Sequence, residues 1–256
     1  MKLAAFTCFW ALLGAGSVRA QEAPTTLPVA VAAAPEDPTV PVPKTGATSQ
    51  QVAMADRFMK MHQDFLKRAA QGNIDLLFLG DSITAGWAGK GKDVWQKNYA
   101  DKNAANFGIG GDRTQHVLWR ITNGELDGIS PKVMVLLIGT NNSAKDDPDK
   151  IAEAVEKIVK ISREKMPKTK VLLLAIFTRT RDTDKNNMTT IKAVNQRIAK
   201  LDDGKMVRFL DINSKFEDAE GKVPKETFDD GLHPNAKGYE IWTQAMAPTL
   251  DEMMKD

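Results

Sequence analysis

Three residue types that cooperate in nucleophilic catalysis occur in two distant parts of the chain. Ser82 follows the apolar run Leu76-Leu77-Phe78-Leu79 and the turn Gly80-Asp81, and His233 follows Asp230 by three residues. A serine hydroxyl is a weak nucleophile until a neighbouring base takes its proton, and a carboxylate can orient that base. The chain therefore holds a candidate nucleophile, a candidate base and a candidate orienting acid.

Both segments also have a structural interpretation, which is favoured when each is taken alone. Glycine and aspartate are ordinary turn residues, and Asp230 and His233 precede a helical pattern that begins at Pro234, where local turn and capping hydrogen bonds are common. In the catalytic interpretation, the Asp230 carboxylate accepts a hydrogen bond from His233 Nδ1 and leaves Nε2 free to face Ser82.

Two further turns carry groups that can stabilise negative charge. The segment Asn106-Phe107-Gly108-Ile109-Gly110-Gly111-Asp112 follows a weak strand pattern, and Gly139-Thr140-Asn141-Asn142 follows a strong one. Acyl transfer builds negative charge on a carbonyl oxygen, which fixed N–H donors stabilise. A glycine lets its backbone N–H approach closely, and an asparagine side chain supplies another donor. Taken singly, each turn is better explained as a plain strand-to-helix connection.

The hydrophobic patterns around these turns predict alternating helices and strands. Apolar runs of strand length occupy residues 74–79, 104–107, 133–138, 171–177 and 207–210. Helical spacing is found over residues 51–71, 114–121, 148–165, 186–201 and 234–253. Strands that are apolar on both faces and alternate with helices indicate a parallel sheet covered on both sides. The carboxyl ends of such strands meet at the edge where ligands bind, so we expect Ser82 to lie there.

The N-terminal sequence predicts an exported protein. Residues 1–20 combine a basic start, an apolar stretch too short to span a bilayer, and small residues up to Ala20, which is typical of a secretory signal peptide cleaved after that residue. An uncleaved membrane anchor or a buried helix is the alternative. Residues 21–49 are rich in alanine and proline, so we expect an extended tether followed by one domain over residues 50–256. We therefore expect a secreted or periplasmic protein without an integral membrane span.

Composition excludes several kinds of chemistry. The one cysteine, Cys8, lies in the predicted signal peptide, so the mature chain has no thiol for disulfides, nucleophilic attack or metal binding. Removing that peptide takes away Lys2 and Arg19, and the formal charge falls from +2 to zero, which gives no basic excess for a nucleic-acid partner. The remaining histidines, His62 and His116, lack a second histidine at metal-ligand spacing, and we expect structural roles for both.

Taken together, the four blocks resemble the SGNH, or GDSL, hydrolase family. They stand in the family's order as Gly80-Asp81-Ser82, the glycine turn ending at Gly111, Gly139-Thr140-Asn141-Asn142, and Asp230-Gly231-Leu232-His233. Residues 106–142 look particularly like the catalytic subunits of platelet-activating factor acetylhydrolases. The resemblance implies that Ser82 is the nucleophile, His233 the base and Asp230 its orienting acid. It also implies an oxyanion hole formed by the N–H groups of Ser82 and Gly111 and by the Asn141 side chain.

The resemblance further implies a fold and an activity. The fold is a three-layer α/β sandwich in which a five-stranded parallel sheet of flavodoxin-like order lies between helices. The activity is that of a serine esterase with no metal or organic cofactor. We expect its substrate to be a small molecule or carbohydrate that carries a short acyl ester, in particular acetyl, because the chain resembles acetylhydrolase subunits and its N-terminal sequence predicts export. The alternatives are a lysophospholipase or thioesterase acting on longer chains, and a non-catalytic relative that binds glycan.

Three further residues are candidates for substrate binding. Arg179 and Arg181 follow the strand pattern that ends near Phe177, which places them at the same sheet edge as Ser82, where they could hold an anionic or sugar substrate by forked hydrogen bonds. The alternative is a solvated loop. Trp87 closely follows the nucleophile and either lines an acyl or sugar pocket or packs in the core.

Overall fold

The computed structural model describes residues 36–181 and 187–255, so the predicted signal peptide and residues 21–35 of the predicted tether lie outside the described residues. Within them, five strands form one parallel sheet in the order β2-β1-β3-β4-β5. The strands are β1 (Leu76–Gly80), β2 (Ala104–Gly108), β3 (Val133–Leu137), β4 (Lys170–Leu174) and β5 (Val207–Leu210). The predicted α/β fold with a flavodoxin-like strand order is confirmed.

The helices lie on both faces of this sheet. They are α1 (Ser49–Ala70), α2 (Ser82–Ala85), α3 (Lys92–Asn98), α4 (Thr114–Thr122), α5 (Pro148–Lys165), α6 (Asn187–Ile198) and α7 (Ala236–Met254). The short helices α2 and α3 have too few residues for a hydrophobic period, and the sequence pattern did not predict them. Among the helices of the described ranges, none is both long and apolar enough to cross a bilayer.

Alternate side chains of each central strand enter two separate hydrophobic cores. In β1, Leu77 and Leu79 pack in the core shared with α1, α4, α5 and α6, whereas Leu76 and Phe78 pack in the core shared with α3 and α7. Successive side chains of a strand point to opposite faces, so both sets must be apolar when helices cover both faces. This explains the uninterrupted apolar runs of the sequence.

The fourth strand ends earlier than its apolar run. We expected residues 171–177 to be strand, but β4 ends at Leu174, although the chain stays buried through Phe177. The Asn195 side chain takes over the pairing: its Oδ1 accepts from Ile176 N at 2.8 Å and its Nδ2 donates to Ile176 O at 2.9 Å. A buried backbone needs hydrogen-bond partners, and here a side chain of α6 supplies them in place of a neighbouring strand.

Part of the predicted tether lies against the domain. The segment from residue 36 to residue 48, which we call the N-terminal strap, belongs to the same compact unit as the sheet. Val42 N donates to Gln115 O at 3.2 Å, and Pro38 O accepts from Thr114 Oγ1 at 3.0 Å. Thr48 then caps α1 in a capping box with Gln51. The strap therefore leads into the domain along the first turn of α4.

Close packing couples α2, which begins at Ser82, to both neighbouring layers. A Cβ added to Gly108 at the end of β2 would lie 2.3 Å from Ala85 N, so only glycine lets the strand and the helix approach so closely. From the other side, the Tyr239 hydroxyl of α7 donates to Ile83 O at 2.6 Å. The start of α2 is thus held between β2 and α7.

Candidate active site

The predicted site residues lie in loops at the carboxyl edge of the sheet. Ser82 follows β1, Gly111 follows β2 and Asn141 follows β3, while Asp230 and His233 lie in the connection between β5 and α7. In a parallel sheet these connections emerge on the same side. The topology therefore brings together residues that are up to 151 positions apart in the sequence.

Ser82, His233 and Asp230 form one hydrogen-bonded chain. Ser82 Oγ lies 2.9 Å from His233 Nε2, and His233 Nδ1 lies 2.7 Å from Asp230 Oδ2. An ionised carboxylate only accepts hydrogen bonds, so Nδ1 carries the ring proton and Nε2 accepts from the serine hydroxyl. The geometry is that of a nucleophile, a base and an orienting acid in contact.

Asp230 also makes the capping bonds of the structural interpretation. Its Oδ1 accepts from Leu232 N at 3.0 Å and from His233 N at 2.8 Å. Partial burial opposes ionisation of Asp230, but these backbone bonds and the bond from the His233 ring outweigh it and hold the pKa of the carboxyl well below its usual range. The carboxylate thus fixes the loop and the imidazole together, and the two interpretations are compatible.

The two arginines have different roles. Arg181 Nη2 donates to Asp230 Oδ2 at 2.7 Å, and both side chains are partly exposed. Arg179 is 8% exposed, and its Nη1 donates to Thr140 O at 3.0 Å and to Thr140 Oγ1 at 3.2 Å. Arg181 lies on an exposed loop, as the solvated-loop alternative predicts, but its side chain is bonded to the acid. Arg179 is buried against the turn after β3, which does not match a solvated loop.

Trp87 packs in the core, as its second interpretation proposed. It is 1% exposed, and its ring lies 4.4 Å from that of Tyr239 and 4.9 Å from that of Trp242, measured between centroids. An indole with so little exposed surface offers almost none to a substrate in the site. It lies between α7 and β1, the strand that leads to Ser82, where its ring is 5.9 Å from that of Phe78.

The turns that carry the predicted oxyanion donors are bonded to one another. Asn141 Nδ2 donates to Asp112 O at 2.8 Å, and Ile109 N donates to Gly80 O at 3.2 Å. Gly111 has a φ of 72°, a left-handed conformation that favours glycine. No group in residues 36–181 or 187–255 accepts a hydrogen bond from the N–H of Ser82 or of Gly111. Both amides are therefore available to a ligand.

A buried cluster of charges lies behind these turns. The Arg120 guanidinium is fully buried, its Nε lying 2.9 Å from Asp112 Oδ2 and its Nη1 lying 2.6 Å from Glu125 Oε2. Arg120 also donates to Gly80 O at 3.2 Å and to Phe107 O at 3.1 Å. One side chain thus ties together the ends of the two strands that lead to Ser82 and to Gly111.

Two titratable groups beside this cluster have shifted pKa values. Burial raises the pKa of the Asp81 carboxyl to about 7; the hydrogen bond from Ile83 N opposes the rise, and the nearby Asp112 adds to it. Burial lowers the pKa of His116 to about 3, and neighbouring cations including Lys44 lower it further. Neutral His116 accepts from Arg113 N through Nδ1 at 3.0 Å, which fits its expected structural role.

Sequence reasoning missed several residues that shape the site. The sequence marks Asp112 as the end of a glycine block, Arg120 as part of a helical pattern within the segment that resembles the acetylhydrolase subunits, and Lys44 as part of the predicted tether. Their roles depend on contacts between distant segments, for which the chain carries no local signal. The strongest sequence signal is that of Asp112, because an acid directly after two glycines lies close to the predicted oxyanion donors and needs a compensating cation.

The family of the chain follows from its sequence. Residues 78–241 match the model of the GDSL-like lipase/acylhydrolase family. This range includes all four sequence blocks from Gly80 to His233. The chain therefore belongs to this family, the SGNH hydrolases, and its five-stranded parallel sheet flanked by helices is consistent with the fold of that class.

Comparison with particular proteins agrees with this assignment. The alpha2 subunit of platelet-activating factor acetylhydrolase IB from Rattus norvegicus is 34% identical over 186 residues, which cover 72% of this chain and 79% of that subunit. The alpha1 subunit from Pongo abelii is 31% identical over 195 residues, with coverages of 74% and 81%.

Solved structures share the fold at lower identity. A GDSL-like lipase from Bacteroides thetaiotaomicron is 18% identical with a TM-score of 0.62, covering 75% of this chain and 97% of that one. A mutant of an acetyl-xylooligosaccharide esterase from Geobacillus is 18% identical with a TM-score of 0.54, with coverages of 70% and 93%.

Proposed function

We propose that this protein is a secreted serine esterase that removes short acyl groups, in particular acetyl, from a carbohydrate through an acyl-enzyme on Ser82. The observation that carries the proposal is the 2.9 Å contact between Ser82 Oγ and His233 Nε2, with Asp230 behind the ring. This arrangement supplies the base that a serine nucleophile requires.

The proposed reaction has two halves. Ser82 Oγ attacks the ester carbonyl as His233 Nε2 takes its proton, and the alcohol leaves with that proton. The negative charge on the carbonyl oxygen is stabilised by the N–H groups of Ser82 and Gly111 and by the second N–H of the Asn141 amide. Water then attacks the acyl-enzyme with His233 again as base, releasing the acid and regenerating the serine. Asp230 keeps the imidazole in the tautomer that both halves need.

Different observations support the two parts of the proposed substrate, the short acyl group and the carbohydrate. The curated relatives are named acetylhydrolases, which favours a small acyl group. The predicted signal peptide favours a substrate outside the cytoplasm, where acetylated polysaccharides are one source of such esters.

Replacement of the nucleophile tests the mechanism. We expect Ser82→Ala to lower kcat/KM for 4-nitrophenyl acetate by at least about 10³-fold, as the loss of a catalytic nucleophile does. Ser130→Ala, at an exposed serine, is the matched control and should keep wild-type activity. An S82A enzyme with wild-type turnover would remove Ser82 from the reaction.

A preference for longer chains is the second candidate, and one contact favours it. Met54 is 48% exposed, and its Cε lies 3.8 Å from the position that a Cβ on Gly111 would take. An exposed apolar side chain beside the oxyanion turn could hold an acyl tail. If the enzyme prefers short chains, Met54→Ser should leave the rates of hydrolysis of both acetate and octanoate esters unchanged. A loss of activity on the octanoate ester alone, which the control Met59→Ser does not show, would favour an enzyme that prefers longer acyl chains.

A further inference from the structure

The hydrogen bonds and ion pairs that the N-terminal strap makes to the sheet side of the domain concentrate on the turn after β2 and the start of α4. Glu36 accepts from Arg113 Nη1 at 3.3 Å and from Gln115 Nε2 at 3.0 Å. Further along, the strap bonds to Thr114 and Gln115, and Lys44 reaches Gly110 and Asp112. The strap lies before the family match at residues 78–241, so these contacts belong to this chain's own N-terminal segment.

Lys44 is the strap residue closest to the proposed oxyanion hole. Its side chain is 8% exposed, and its Nζ lies 2.8 Å from Asp112 Oδ1 and donates to Gly110 O at 2.6 Å. The ammonium group also lies 5.5 Å from the centre of the Phe58 ring, which gives it a third favourable contact. A buried ammonium held from three sides has one preferred position.

The contact with Gly110 O bears directly on Gly111 N–H, because both groups belong to the same peptide unit. A trans peptide is planar, with its carbonyl and its N–H pointing in opposite directions, so fixing the carbonyl fixes the direction of the N–H. A cation on the carbonyl oxygen also polarises the unit and makes its N–H a stronger donor, as hydrogen-bonded chains polarise one another in a low-dielectric interior. The carbonyl of Asp112, the residue after Gly111, accepts a hydrogen bond from Asn141 Nδ2 at 2.8 Å, so the turn is fixed on both sides of Gly111.

Besides fixing the Gly110–Gly111 peptide, Lys44 has a structural role, because it balances the charge of the buried cluster. An experiment must separate these two roles. Arg120 is shared between Asp112 and Glu125, so without Lys44 the buried cluster would carry one excess negative charge. Loss of Lys44 would therefore disturb folding as well as the peptide. Lys44 balances charge through its ion pair with the Asp112 carboxylate, whereas it fixes the peptide through its hydrogen bond to Gly110 O.

We propose that Lys44 is a positioning residue of the oxyanion hole, whose ammonium group aims and polarises the Gly110–Gly111 peptide so that Gly111 N–H meets the developing oxyanion. The inference rests on the proposed esterase function. It makes the strap a working part of the site, since the segment from Glu36 to Pro43 anchors the lysine at the turn.

Steady-state kinetics with 4-nitrophenyl acetate give the first test. Loss of a whole oxyanion donor lowers kcat by about 10²–10³-fold, and a misaimed, less polarised donor should lose part of that. We expect Lys44→Met to lower kcat by about 10-fold with KM within about 2-fold, and Lys44→Arg to recover kcat to within about 3-fold. The exposed Lys67→Met is the matched control and should equal wild type. An unchanged kcat in K44M would overturn the inference.

The double variant K44M/D112N separates the two tasks. It removes both members of one ion pair and leaves Arg120 paired with Glu125, so the buried charges balance again. We expect its urea midpoint to exceed that of K44M while its kcat stays low, because nothing holds Gly110 O. Recovery of wild-type kcat together with stability would show that Lys44 serves only charge balance and would refute the proposed role.

A measurement without turnover keeps this inference apart from the proposed function. In protein labelled with ¹⁵N-glycine, the Gly111 amide proton should move upfield in K44M and keep its position in K44R and K67M. An unmoved Gly111 resonance in K44M would contradict the inference even if the protein is an esterase. Full activity of S82A would instead refute the esterase mechanism, independently of the position of the Gly111 amide resonance.

Discussion

Asp81, the residue directly before the nucleophile, should make the protein less stable as the pH rises. Its side chain is buried, and although Oδ1 accepts from Ile83 N at 2.9 Å, Oδ2 has no hydrogen-bond partner within the described residues. A buried carboxylate with an unpartnered oxygen is costly, and the fold avoids this cost by keeping the carboxyl protonated to higher pH. We predict that Asp81→Asn, which has the same shape and no charge, removes this pH dependence.

The magnitude follows from the two pKa values. The pKa of Asp81 rises from an ordinary 3.8 to about 7, and each pH unit of such a difference corresponds to about 1.4 kcal/mol, giving about 4 kcal/mol in all. Between pH 4 and pH 7 the native state binds more protons at this site than the unfolded state does. The free energy of unfolding contributed by Asp81 therefore falls as the pH rises through this window and is constant above it.

Urea unfolding followed by tryptophan fluorescence measures this contribution. The difference in free energy of unfolding between D81N and wild type should grow in favour of D81N by about 4 kcal/mol from pH 4 to pH 8. Asp101→Asn, at a side chain that is 81% exposed, serves as the control and should run parallel to wild type. If the D81N and wild-type curves are parallel as well, Asp81 is ionised throughout and the reasoning from burial fails.

Three other substitutions probe the surroundings of the site. Arg181→Gln should lower kcat about 3-fold at low salt and less at high salt, because its bond to Asp230 is partly exposed; a salt-independent loss would contradict a role through charge. Arg120→Met leaves the buried carboxylates of Asp112 and Glu125 without their shared cation. It should reduce the free energy of unfolding, measured by urea titration, by about 3–5 kcal/mol, and a loss under about 1 kcal/mol would contradict the proposed role of the cluster. Gly108→Ala places a methyl group 2.3 Å from Ala85 N and should lower both the thermal midpoint and the activity; wild-type values for both would show that α2 has room to move.

The sheet could be predicted because its information is local. Each of the five apolar runs contains most of one strand, and the β1 run Leu76–Gly80 feeds both cores through alternate side chains. The pairing of Ser82 with His233 could be predicted for a different reason: parallel topology brings strand ends to one edge, whatever their separation along the chain. That these segments meet in a hydrogen-bonded chain is visible only in the structure.

The supporting residues could not be predicted, since their roles depend on which segments meet. Arg179 and Arg181 looked alike in the sequence, yet one is buried on Thr140 and the other bonds to Asp230. Lys44 gave no signal at all, because a lysine in a proline-rich stretch is normally solvated. These assignments require the register of loops against one another, which the hydrophobic pattern does not encode.

The bond from Tyr239 to the backbone beside Ser82 has a consequence for how the sequence of this hydrolase can change. The helix that carries the tyrosine, α7, starts three residues after His233. The buried helix α7 therefore positions both His233 and, through the Tyr239 bond, the backbone beside Ser82, and the surrounding surface loops do not. Loops on the rim can lengthen, shorten or exchange residues while the spacing of the reacting atoms stays constant. New substrates can thus be accommodated at the periphery without rebuilding the chemistry.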